Sequence, residues 1–125
     1  MTTAQNAASL YRRNAVLTAS REKLVVLLYD GALRFIDQAS MGFETGAYAE
    51  IATGISRAFG VVSELRSTLD HEQGGDVAAN LDRLYRFVQD RLITANRERH
   101  LESLNEARRV MATLKEAWDG ILGAG

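Results

Sequence analysis

From Tyr48 to Leu69 the apolar residues fall at Tyr48, Ile51, Ile55, Ala58, Val62, Leu65 and Leu69, in steps of three and four without a slip. That spacing gathers them on one face of an α-helix and scatters them over both faces of a strand. Val77, Leu81, Leu84, Val88, Leu92 and Ala95 repeat the pattern, as do Leu104, Ala107, Met111, Leu114, Trp118 and Ile121. A further helix opens at Ser20, a good N-cap, followed by Arg21 and Glu22, and runs to about Ser40. No period-two run competes with these segments. The chain has no proline, so glycine and polar clusters mark its turns. The clearest is Gln73-Gly74-Gly75-Asp76, with weaker ones near Met41 to Gly46 and Asn96 to His100. Helices are therefore expected over about 20–40, 46–72, 76–96 and 100–122. Short turns between helices of similar length make sequence neighbours antiparallel. The expected fold is all-α, an antiparallel up-down-up-down four-helix bundle over 20–122, with residues 1–19 as a separate N-terminal tail or short cap.

At 125 residues the chain is the size of one domain and can bury a core of its own. Its 15 Lys plus Arg against 16 Asp plus Glu leave a net charge of −1, which speaks against a nucleic-acid partner. The densest basic group, Arg97, Arg99, Arg108 and Arg109, is interleaved with Glu98, Glu102 and Glu106 and reads as a solvated helix face. The absence of cysteine excludes disulfides, thiolate catalysis and sulfur-ligated metals. The start of the chain has no basic, apolar leader, and no run approaches the roughly 20 apolar residues of a membrane span. A cytoplasmic location without membrane insertion is expected.

The helix after Ser20 carries more apolar surface than a bundle corner uses. At 100° per residue, Leu24, Leu27, Leu28, Ala32, Phe35 and Ala39 mark a core face, with Val25 and Ile36 on its flank. Val26, Tyr29 and Leu33 continue round to the far side, leaving Lys23, Asp30, Arg34 and Asp37 as the polar stripe. The arc spans roughly 260°, against roughly 140° to 200° for the other helices. Leu24, Leu28, Ala32 and Phe35 are assigned to the core, and Val26, Tyr29, Leu33 and Ile36 to a partner. The cover is either the chain's own tail, through Leu10, Tyr11, Val16 and Leu17, or an amphipathic segment of another protein.

No catalytic, cofactor or metal site is expected. A di-iron bundle needs Glu-x-x-His on two helices, whereas the two histidines here follow Thr68 and Arg97 by three residues. Asp70, Glu72, Gly75 and Asp76 fall short of a calcium loop, because the twelfth position from Asp70 is Leu81. A phosphotransfer or regulatory bundle needs an exposed histidine in mid-helix, while His71 and His100 sit at expected turns. That reading and a self-associating structural bundle are the alternatives to a binding module.

A tail with Tyr11, then Thr18-Ala19-Ser20, then LVVLLYDGA from Leu24 to Ala32 resemble the start of the flagellin export chaperone family, FliS. The resemblance continues through Thr68-Leu69-Asp70 with Gly74-Gly75, Asn80-Leu81, Leu84-Tyr85, Ala95-Asn96 and Ala117-Trp118, covering about residues 11–118. It implies a bundle without catalytic residues that binds the disordered C-terminal segment of flagellin, prevents its premature polymerisation and assists its export by the flagellar secretion apparatus. It further implies that the segment wraps the bundle, partly as helices in apolar grooves, and that the tail carrying Tyr11 lies on the same surface when the client is absent. The resemblance also implies a second partner, the cytoplasmic domain of the export gate protein when flagellin is bound, and the free chain is expected as a monomer or weak homodimer. Arg21 replaces the family's usual proline, and His100 its usual aspartate, a poorer cap for the last helix.

Overall fold

The computed structural model describes residues 21–124, with side chains described for residues 22–120. Leu10, Tyr11, Val16 and Leu17, the expected cover, lie outside the described residues. Four helices follow one another: α1 (Arg21–Thr45), α2 (Tyr48–Ser67), α3 (His71–Glu98) and α4 (Leu101–Ala124). Each packs against its neighbours in sequence, and α4 returns to α1, so the helices close a ring of antiparallel pairs. The all-α four-helix bundle read from the apolar spacing is the fold observed.

Three short connections hold the ring. The first helix runs five residues beyond the expected Ser40, because Phe43 continues its packing against the core and Gly42 lies directly against α2. A Cβ on Gly42 would come within 2.9 Å of the Ile51 side chain and backbone nitrogen. The turn is made by Gly46, at φ 71°, and Ala47, whose N–H donates to the Gly42 carbonyl at 2.9 Å. At the second connection Asp70 caps α3 by accepting from the Gln73 N–H at 3.1 Å. The helix thus starts at His71 rather than 76, and the glycine pair lies within it as a break at Gly75 (φ 49°, ψ −123°). At the third, Arg99 takes the left-handed conformation with φ 50°, unusual for a side chain larger than Asn, and its guanidinium covers the Tyr48 ring at 5.3 Å. His100 then caps α4: its Nδ1 accepts from the Ser103 N–H at 3.3 Å and lies 2.7 Å from the Ser103 hydroxyl. The imidazole therefore fills the role in which a histidine was expected to serve poorly.

The core assignments of α2 and α4 match the burial of Ile51, Ile55, Ala58, Val62 and Leu65, and of Leu104, Ala107 and Met111, while Tyr48 is exposed. On α3 the buried line is Ala78, Tyr85, Val88, Leu92 and Ala95, and Val77 and Leu84, expected inside, face outward. Leu84 and Tyr85 differ by one residue, about 100° on the helix. Tyr85 is favoured inside because its ring buries more apolar area and its hydroxyl finds a partner at the centre of the bundle.

The same effect corrects the reading of α1. Its buried line is Val25, Tyr29, Ala32, Ile36 and Ala39, with Tyr29 and Ile36 at 0% exposure. Tyr29 and Ile36, assigned to a partner, thus belong to the core, and Leu24, Leu28 and Phe35, assigned to the core, are half-buried on its flank. The apolar arc was wide enough to admit either placement, and two contacts select this one. Ala39 is small enough for α2 to approach, and Tyr29 reaches across to α3. Val26 and Leu33 are half-buried on the opposite flank, which α4 borders through the Asp37–Arg108 and Asp30–Lys115 ion pairs.

Candidate apolar binding surface

The interior is closed by a polar contact among three aromatic residues. The Tyr29 and Tyr85 hydroxyls lie 2.5 Å apart, joining α1 to α3 across the diagonal of the ring, and the Trp118 Nε1–H of α4 donates to the Tyr29 oxygen at 3.2 Å. Burial pushes both phenols above the ordinary tyrosine value, and for Tyr85 the hydrogen bond to Tyr29 adds to the shift. Both therefore stay neutral and hold the three helices together as hydrogen-bonding hydrophobes.

A second network fixes α3 on α2. The buried Gln89 donates from Nε2 to the Phe59 carbonyl at 3.2 Å and the Ser63 hydroxyl at 2.8 Å, and its Oε1 accepts from Arg66 at 3.2 Å. Arg66 also donates to Asp82 at 2.8 Å, and Arg86 reaches the same carboxylate at 3.1 Å. The hydrogen bond from Arg66 holds the Asp82 carboxyl below its ordinary value. With every buried side-chain polar atom partnered among the described residues, the bundle presents a rigid framework.

On that framework α3 displays apolar side chains outward on both its flanks. Ile93 lies over a depression of about 280 Å³ between α2 and α3, whose other apolar walls are Ile55 and Phe59. Leu84 lies over a second, of about 250 Å³, between α3 and α4, with Val110 and Leu114 opposite. Phe87, 43% exposed, stands on the ridge separating the two. At the end of the bundle a third cavity, of about 210 Å³, opens among Val25, Leu69, Val77, Ala78 and Leu81, with Tyr85 and Trp118 in its wall. Leu27, on the outer side of α1, is 62% exposed.

The surplus apolar surface therefore lies chiefly on α3 and at the bundle end, and only in part on α1. Of the residues assigned to a partner, Val26 and Leu33 are at the surface, whereas Tyr29 and Ile36 are not. Sequence reasoning passed over Phe87 and Ile93. The signal was present, since neither fits the three-four line of its helix, and a large apolar residue off that line has no use inside the bundle.

Nothing in the arrangement points to chemistry. His71 sits exposed in the first turn of α3 and His100 is engaged as a cap, so neither is a nucleophile in mid-helix. Among the described residues no cluster of His, Cys, Asp or Glu could hold a metal ion, and no helix is long and apolar enough to cross a membrane. A bundle with a partnered interior and apolar depressions between its helices suits the binding of an apolar segment of another protein.

Comparison with known proteins narrows that reading. The profile of the family described as "Flagellar protein FliS" matches residues 3–124. The chain is 37% identical over 106 residues to the flagellar secretion chaperone FliSB of Pseudomonas aeruginosa, covering 85% of this chain and 84% of that one. It is 31% identical over 109 residues to the flagellar secretion chaperone FliS of Salmonella typhimurium, covering 86% and 81% of the two chains. With its Vibrio cholerae counterpart the identity is 32% over 103 residues, covering 82% and 76%. The chain belongs to the FliS family of flagellar secretion chaperones, a family of chaperones and not of enzymes.

Proposed function

We propose that this chaperone binds the disordered C-terminal segment of flagellin in the cytoplasm, keeps it from polymerising before export and assists its delivery to the flagellar secretion apparatus. The observation that carries the reading is the set of exposed apolar side chains on α3, with Ile93 and Leu84 each over an apolar depression on opposite flanks and Phe87 on the ridge between them. An amphipathic client helix buries its apolar face in such a depression, and two depressions separated by one helix suit a segment that wraps round the bundle. A client shielded in this way has no apolar face left for self-association. Val26 and Leu33, with Leu27, extend the same surface to α1. Leu10, Tyr11, Val16 and Leu17 of the tail serve as the competing cover, and the cytoplasmic domain of the export gate protein is the second partner once the client is bound. The free chain is a monomer or weak homodimer.

Calorimetric titration with the C-terminal segment of a flagellin encoded in the same genome tests the reading. The expected result is a 1:1 complex with a negative heat-capacity change, the mark of buried apolar surface. Phe87→Asp and Ile93→Asp should each weaken it about ten-fold or more while leaving the helical circular dichroism unchanged, since both side chains already face solvent. Absence of saturable binding by the unaltered protein contradicts the proposal.

A further inference from the structure

The turn between α3 and α4 hangs on His100. Its backbone N–H donates to the Ala95 carbonyl at 3.1 Å and so closes α3, while its side chain opens α4. Arg99, just before it, is the one non-glycine residue among the described residues with a positive φ, a conformation that costs free energy in any residue with a Cβ. The bonds around it hold it there: its own N–H lies on the same Ala95 oxygen and its guanidinium covers the exposed Tyr48 ring.

The direction of the hydrogen bonds at the start of α4 fixes the state of the imidazole. A backbone N–H can only donate, so Nδ1, 3.3 Å from the Ser103 nitrogen, must present its lone pair. The proton of the neutral ring is then on Nε2, and the Ser103 hydroxyl, 2.7 Å from Nδ1, donates in that contact as well. Ser103 is fully buried, whereas the histidine is exposed and within reach of solvent protons. An imidazolium carries N–H on both nitrogens and accepts nothing. Protonation therefore sets a third donor against the two of Ser103 and adds positive charge at the positive end of the α4 dipole.

Other charged groups bear on the same ring. Arg99 precedes it, Arg97 and Glu98 pair with each other at the end of α3, and Tyr48 is the titratable group of α2 at this turn. Glu102 of α4 favours the charged ring: its carboxyl is held below its ordinary value by the hydrogen bond from Arg109 and, more weakly, by the charge of His100. That carboxylate is exposed and engaged by Arg109 at 2.9 Å, so its attraction is screened and shared, whereas the lone pair of Nδ1 is lost outright. We propose that His100 is an acid-sensitive latch on the α3–α4 turn. Neutral, it holds the first turn of α4 closed; protonated, it leaves Ser103, the turn frays, and Arg99 relaxes from its left-handed conformation and releases Tyr48. The latch does not depend on what the bundle binds.

Nuclear magnetic resonance of the full, isotopically labelled chain tests the latch at the imidazole and at the Ser103 amide. The ring should be the Nε2–H tautomer at pH 8, and protection of the amide against solvent exchange should fall about five-fold or more between there and pH 5.5, across the ordinary histidine value of about 6.5. Protection is taken relative to the unstructured rate at each pH. In His100→Asn, whose amide oxygen accepts at every pH, it should stay constant. A proton on Nδ1 at the higher pH overturns the proposal whatever the variant does. So does unchanged protection of the unaltered chain at the lower pH, or an equal loss in both proteins.

Discussion

At the scale of single residues, the hydroxyl of Tyr29 joins three helices, since it meets both Tyr85 of α3 and Trp118 of α4. Tyr29→Phe removes the partner of both the buried Tyr85 hydroxyl and the half-buried Trp118 Nε1–H, whereas after Tyr85→Phe the Tyr29 oxygen still accepts from Trp118. Leaving a buried polar group unsatisfied costs about 1 to 3 kcal/mol. Urea unfolding should therefore show Tyr29→Phe as the more destabilising of the two, by about 1 kcal/mol or more. The pair also makes stability depend on pH at the alkaline end. Both phenols have folded values raised above the ordinary 10.0, so their contribution is complete below that pH. Above it the unfolded chain releases protons that the folded chain retains, and stability falls as pH rises. Unfolding followed between pH 8 and pH 11, bracketing the ordinary tyrosine value of about 10, should show a decline that Tyr85→Phe makes shallower.

At the scale of elements, the α1–α2 pair packs closely, and glycine permits it at Gly42 and Gly54 but plays no such part at Gly60. Gly54 touches the α1 backbone, whereas Gly60, two turns along the same helix, has nothing within 4 Å of an added Cβ. Gly54→Ala should destabilise by about 1 to 3 kcal/mol through separation of the helices. Gly60→Ala should stabilise by up to about 1 kcal/mol through helix propensity alone. Thermal unfolding of the two variants separates these effects, which differ in sign.

The existence and order of the helices were legible in the sequence because three of them carry an unbroken three-four line. Which residues of α1 face inward was not. An arc as wide as that of α1 contains two plausible core lines about 60° apart, and periodicity cannot choose between them. The choice is made by Gly54 on α2 and by Tyr85 on α3, residues that the pattern of α1 does not contain. The same reason hid the outward face of α3, where Tyr85 displaced Leu84 from the interior. The start of α3 was missed for a local reason: the Asp70 cap nucleates a turn ahead of Gly75, and a glycine pair reads as the end of a helix when its flanking cap is not weighed.

At the scale of the whole molecule, every buried side-chain polar atom among the described residues is partnered while the outer side of α3 carries exposed apolar side chains, and this division suits a chaperone for an apolar segment. On the proposed reading, the partnered core supports the bundle without its client, and the exposed depressions are where the client would bury its apolar face. A photo-crosslinking residue in place of Phe87 tests this most directly, with Glu64, exposed on α2, as the control position. Mixed with the purified C-terminal segment of flagellin and irradiated, the chain labelled at 87 should form a covalent adduct at an apolar residue of the segment, and the chain labelled at 64 should form little. Equal labelling from both positions, or none from 87, would contradict the assignment of the α3 face to the client.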